Sequence, residues 1–97
     1  MTTYVMLAKL TDFGATHVQD SAKRLDTAKK LLKDMGGEFR TFFLTMGEYD
    51  FVAVYEAPDD AISARFTLQL GRLGNVRATT LKAFPETAYR EIIASLS

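Results

Sequence analysis

Residues Thr41 to Ala57 read TFFLTMGEYDFVAVYEA, two apolar runs that meet at a turn carrying Gly47, Glu48, Tyr49 and Asp50. Runs this close together predict an antiparallel hairpin, with strands over Phe39 to Met46 and Tyr49 to Glu56. Gly47 supplies the positive φ that the turn requires. Downstream, Pro58-Asp59-Asp60 opens a helix, because aspartate caps orphan amides and its charge suits the helix dipole. The apolar positions Ile62, Phe66 and Leu70 carry that helix to Gly71. Val76 to Phe84 is a further strand, and from Pro85 a last helix aligns Tyr89, Ile92, Ile93 and Leu96 on one stripe. Upstream, apolar residues at Val18, Ala22, Leu25, Ala28, Leu32 and Met35 recur at helical spacing, which predicts a helix from Thr16 or His17 to Met35. Gly36-Gly37 ends it. Tyr4 to Leu10, short and rich in strand formers, is the first strand.

The resulting order is strand, helix, strand, strand, helix, strand and an appended helix. That is the split βαβ pattern of an α+β, ferredoxin-like sandwich with an extra C-terminal helix, expected as one domain over residues 1–97. Right-handed crossovers place strands one and three at the centre and two and four at the edges. Side-chain parity then matters. Strand one offers Tyr4, Met6, Ala8 and Leu10 to one face and Val5 and Leu7 to the other. Strand three sets Val52 and Val54 against Phe51, Ala53 and Tyr55. Both faces are apolar, yet two helices cover only one. The expected partner for the other is a second copy, sheet to sheet about a twofold axis, which makes a dimeric α/β barrel. Higher assembly stays open, and so does the alternative that the C-terminal helix folds back over the face.

Composition narrows the function. The chain has 97 residues, with 12 basic and 12 acidic side chains that cancel. No basic cluster stands clear of acidic neighbours, so nucleic acid is not an expected partner. Cysteine is absent, which removes disulfides, thiolate nucleophiles and thiolate metal sites. With one histidine besides, no zinc site of the usual types is expected, and no cofactor. There is no nucleophile elbow, P-loop or dinucleotide fingerprint. The start MTTYVMLAKL lacks a basic n-region and a small-residue cleavage site, and no stretch reaches membrane-spanning length. The expectation is a soluble cytoplasmic protein with no membrane partner.

The chain resembles the GYD family, small dimeric α/β-barrel proteins named for a Gly-Tyr-Asp hairpin signature. That signature stands here as Gly47-Glu48-Tyr49-Asp50, followed by Glu56-Ala57-Pro58-Asp59-Asp60 and Leu73-Gly74-Asn75-Val76-Arg77. The resemblance covers nearly the whole chain. It implies the fold and the homodimer more than an activity. The wider superfamily holds cofactor-free monooxygenases, isomerases, haem-degrading enzymes and ligand-sensing domains, so fold analogy does not choose a function.

Topology does suggest where a site would sit. The ends of strands one and two and the starts of strands three and four share one edge of the sheet, and that edge collects Thr11, Asp12, His17, Thr45, Glu48, Tyr49, Asp50, Asn75 and Arg77, of which His17, Tyr49, Asp50, Asn75 and Arg77 are the expected ligand-binding residues. An apolar cavity with convergent polar groups at its mouth is the usual form of a small-molecule site. In this reading Asp50 orients His17 or raises its pKa, Tyr49 donates to a carbonyl, and Arg77 holds a carboxylate. Each residue also has a local explanation: Gly47 and Asp50 serve the turn, His17 begins a helix, and Gly71, Gly74 and Asn75 shape a helix exit. Three functions stay open. They are a homodimeric small-molecule-binding domain, a cofactor-free enzyme of the isomerase or monooxygenase kind using His17, Tyr49 or Asp50, and a structural or interaction module.

Overall fold

A computed structural model describes residues 1–97. The elements are β1 (Thr2–Leu10), α1 (Asp12–Thr16), a 3-10 turn (Val18–Asp20), α2 (Ser21–Asp34), β2 (Glu38–Leu44), β3 (Phe51–Ala57), α3 (Asp60–Leu73), β4 (Val76–Ala83) and α4 (Glu86–Ala94). The four strands form one antiparallel sheet in the order β2-β3-β1-β4, the ferredoxin-like arrangement with β1 and β3 at the centre. Val5 lies between Val54 and Leu81, and Leu7 between Val52 and Thr79.

That register decides which face is covered. Tyr4, Met6, Ala8, Ala53, Tyr55 and Ala57 are buried, and with Ala28, Leu32, Phe66 and Leu70 from α2 and α3 they supply the core. Phe66 meets Phe39 and Tyr55 edge to face, at centroid separations of 6.0 and 5.3 Å. Such contacts add to the area these rings bury. The opposite face carries Val5, Leu7, Val52 and Val54 with Phe43 and Leu81, and no helix packs on it: Phe43 is 58% and Leu81 49% exposed. Nor does α4 fold back over that face. It buries none of its residues, and Tyr89, Ile92, Ile93 and Leu96 are exposed.

Two local readings shift. The helix expected from Thr16 or His17 is broken: α1 ends at Thr16, His17 takes φ −107° and ψ 29°, and the long helix starts at Ser21. The cause lies upstream, where the Thr11 side chain accepts from Gly14 N–H and starts a separate short helix. The hairpin strands are also shorter than expected, and residues 45–50 connect them. Thr45 closes this loop, donating from its amide to Asp50 O at 2.7 Å and from its hydroxyl to Tyr49 O at 2.6 Å. Gly47 has φ 115°, as the turn required.

Candidate functional site

An apolar concavity lies between the covered face of the sheet and α2, at the end where the β2-β3 loop sits. It measures about 390 Å³. Met6, Ala8 and Leu10 from β1 supply its floor with Phe39 and Phe42 from β2. One flank comes from Ser21, Ala22, Arg24, Leu25 and Ala28 of α2. The other comes from Leu70 and Leu73 of α3 with Asn75 and Val76. Val18, Leu44 and Leu73 line it and are also exposed, so the apolar lining runs out to the surface. Fourteen of its 18 lining residues are hydrophobic, a wall that favours an apolar guest held by few polar contacts.

The concavity exists because the chain is held apart there. Thr11 donates from its hydroxyl to Gly74 O at 2.6 Å and from its amide to Asn75 O at 3.0 Å, which ties the end of β1 to the start of β4. Gly74, at φ 80°, ends α3 in the left-handed conformation and delivers Asn75 to that position. On the other side, Arg24 of α2 donates to His17 O at 3.1 Å, and its guanidinium carbon lies 5.5 Å from the centre of the Phe13 ring. These contacts brace the α1-to-α2 corner over the sheet edge.

Of the five residues expected to bind a ligand at this edge, Asp50 and Asn75 line the cavity. Asp50 Oδ2 accepts from Leu10 N–H at 2.8 Å, and its own amide donates to Ala8 O at 2.9 Å, so the residue extends the β1-β3 ladder by two bonds. His17 is exposed, stacked on Phe13 at 4.2 Å, with Nδ1 2.8 Å from Phe13 O. The expected pairing of His17 with Asp50 is therefore not formed, since each is engaged with backbone nearby. Tyr49 lies beneath Lys9, whose Nζ is 5.4 Å from the ring centre. Arg77 donates to Gly71 O at 3.4 Å, at the end of α3. Sequence reasoning did not find Ser21 and Arg24, because their position depends on the break at His17.

A second polar group lies elsewhere on the covered side of the sheet. Tyr4 donates to Asp60 Oδ1 at 2.6 Å, and Lys82 donates to Asp60 Oδ2 at 3.1 Å. Burial, and then the Asp60 carboxylate, pushes the Tyr4 phenol up to about 12. The hydrogen bond from Tyr4, and then Lys82, holds Asp60 below the usual carboxylate range. This cluster pins the start of α3 to β1 and β4.

Comparison with known proteins places the chain. It is 37% identical over 86 residues to the glutamine synthetase and cystathionine beta-lyase binding protein of Thermus thermophilus, an alignment spanning 88% of this chain and 90% of that protein. No solved structure matches it. The GYD domain matches residues 4–93, from the first core tyrosine of β1 into α4. With the hairpin signature, the strand order and this match in agreement, the chain belongs to the GYD domain family.

Proposed function

We propose that this chain is a homodimeric binding domain that takes a small molecule in the cavity between its sheet and α2. The observation that carries this reading is the cavity itself. It opens to the surface, so its apolar wall stands against water, and a guest that covers this wall gains about 25 cal/mol for each Å² of hydrocarbon removed from water. The groups in the wall favour binding over turnover, because Asp50 and Arg24 are engaged with backbone. A thermal-shift screen of small phenols, lactones, carboxylates and quinones checks this reading. Binding ligands raise the melting temperature, and Ala22→Phe, which places a ring in the mouth, removes the shift. A screen without hits, or hits indifferent to Ala22→Phe, overturns it.

The homodimer is favoured by two surfaces that the chain leaves without a partner, the open sheet face and the stripe of α4. The open face is apolar at its middle, with Lys9, paired with Glu48, at one end and Glu38 and Glu56, held by Arg40, at the other.

A second reading, docking onto enzymes, is favoured by the relative named for binding glutamine synthetase and cystathionine beta-lyase. Surface plasmon resonance against these two enzymes from the same cell tests it, and saturable binding at micromolar concentration is the expected result. If neither enzyme binds, this second reading fails.

A further inference from the structure

Resting on the cavity-binding reading, we propose that the ligand is an uncharged, largely apolar molecule carrying one hydrogen-bond donor, a hydroxyl or amide N–H, for the side chain of Asn75. Two charged side chains line the cavity, and both are matched within the protein. Asp50 Oδ2 accepts the Leu10 amide at 2.8 Å. Arg24 donates to His17 O at 3.1 Å, has Asp20 Oδ2 at 3.9 Å and lies over Phe13. An ionic guest would have to displace one of these partners or bring a bare charge against a mainly hydrocarbon wall, and either is costly. The two wall charges are of opposite sign, so together they attract neither anions nor cations.

Asn75 differs. Its side-chain Oδ1 is buried with no hydrogen-bond partner, and no other buried side-chain nitrogen or oxygen lacks one. An unmatched buried amide oxygen is a standing penalty that a donor relieves. The backbone of Asn75 is fixed independently, through its carbonyl to Thr11 N–H at 3.0 Å and through the left-handed Gly74 before it. The side chain is therefore presented from a rigid corner of the cavity wall. A volume of 390 Å³ corresponds to about a dozen waters at ~30 Å³ each, room for one ring with a short chain.

Three probes of matched shape separate the possibilities: 4-propylphenol, its methyl ether 4-propylanisole, and the anion 4-propylbenzoate. By titration calorimetry at neutral pH, 4-propylphenol is expected to bind about tenfold more tightly than either of the others, the discrimination one buried hydrogen bond provides. Asn75→Leu brings the phenol and the ether to within about threefold of each other, and Asn75→Asp, which keeps an acceptor, retains the preference for the phenol. Equal binding of phenol and ether by the wild-type protein, or tightest binding of the benzoate, overturns this ligand class while cavity binding stands. That comparison needs no variant, so it decides even if Asn75→Leu does not fold. If none of the three binds at millimolar concentration, both the ligand class and the binding reading beneath it fall.

Discussion

Gly14 sits where a single methyl group would push the cavity corner apart. A Cβ there would lie 2.1 Å from the Asn75 carbonyl oxygen and 3.1 Å from Leu10 Cδ2. The first of these is backbone that Thr11 already holds, so it cannot give way cheaply. Gly14→Ala is expected to destabilise the fold by about 1–3 kcal/mol in urea unfolding, as overpacking does, and to loosen Asn75 with it. Gly71 is the internal control. It lies inside α3, its added Cβ would meet nothing closer than Arg77 Nη1 at 3.5 Å, and its φ is not positive. Gly71→Ala should therefore stabilise the protein by about 0.5–1 kcal/mol through the helix preference of alanine. Equal effects at the two glycines would contradict the close approach at Gly14.

The seam between α3 and the sheet shows how polar groups position an element whose burial is apolar. Tyr4 reaches Asp60 at the first turn of α3, Tyr55 shares a buried hydrogen bond with Ser63, and Thr67 meets Thr80 of β4 at 3.0 Å. The Tyr4 phenol, raised from an ordinary value near 10 to about 12, holds its proton more tightly in the folded chain than in the unfolded one. Its contribution is thus fully present below pH 10 and lost as the pH rises from 10 to 12. Tyr4→Phe is expected to cost about 1–2 kcal/mol at neutral pH and to flatten the fall in stability over that alkaline window, measured as the difference from wild type. The strands and their order were legible in the sequence because period-two alternation and register leave few choices: Tyr4, Met6 and Ala8 share a face whatever packs on them. Asp50 and Asn75 were legible for the same reason, since topology alone brings their strand ends to one edge. Ser21, Arg24 and the break at His17 were not, because they follow from Thr11 capping a short helix and Gly14 meeting Asn75, contacts distant in sequence that helical periodicity does not record.

At the scale of the whole molecule the chain is longer than its residue count calls for. Its radius of gyration is 14.6 Å and its extents are 52 × 31 × 18 Å, whereas a compact chain of this length has a radius of about 12.5 Å. α4 makes no substantial contact with any other element, so its exposed Ile92, Ile93 and Leu96 gain little from their own fold. A helix this short does not hold together on propensity alone and needs a surface to pack on. A second copy provides one while also covering Val5, Leu7, Val52 and Val54. Light scattering at micromolar concentration is accordingly expected to give at least twice the chain mass, with a melting temperature that rises with protein concentration. Val54→Lys places a charge at the centre of the open face and should yield a monomer of lower stability. Ile93→Glu, in a helix that buries none of its residues, should weaken association without altering the core. A monodisperse wild-type monomer with a concentration-independent melting temperature would overturn the homodimer, and it would leave the open face and α4 free for a different protein, which is the geometry that docking onto an enzyme requires.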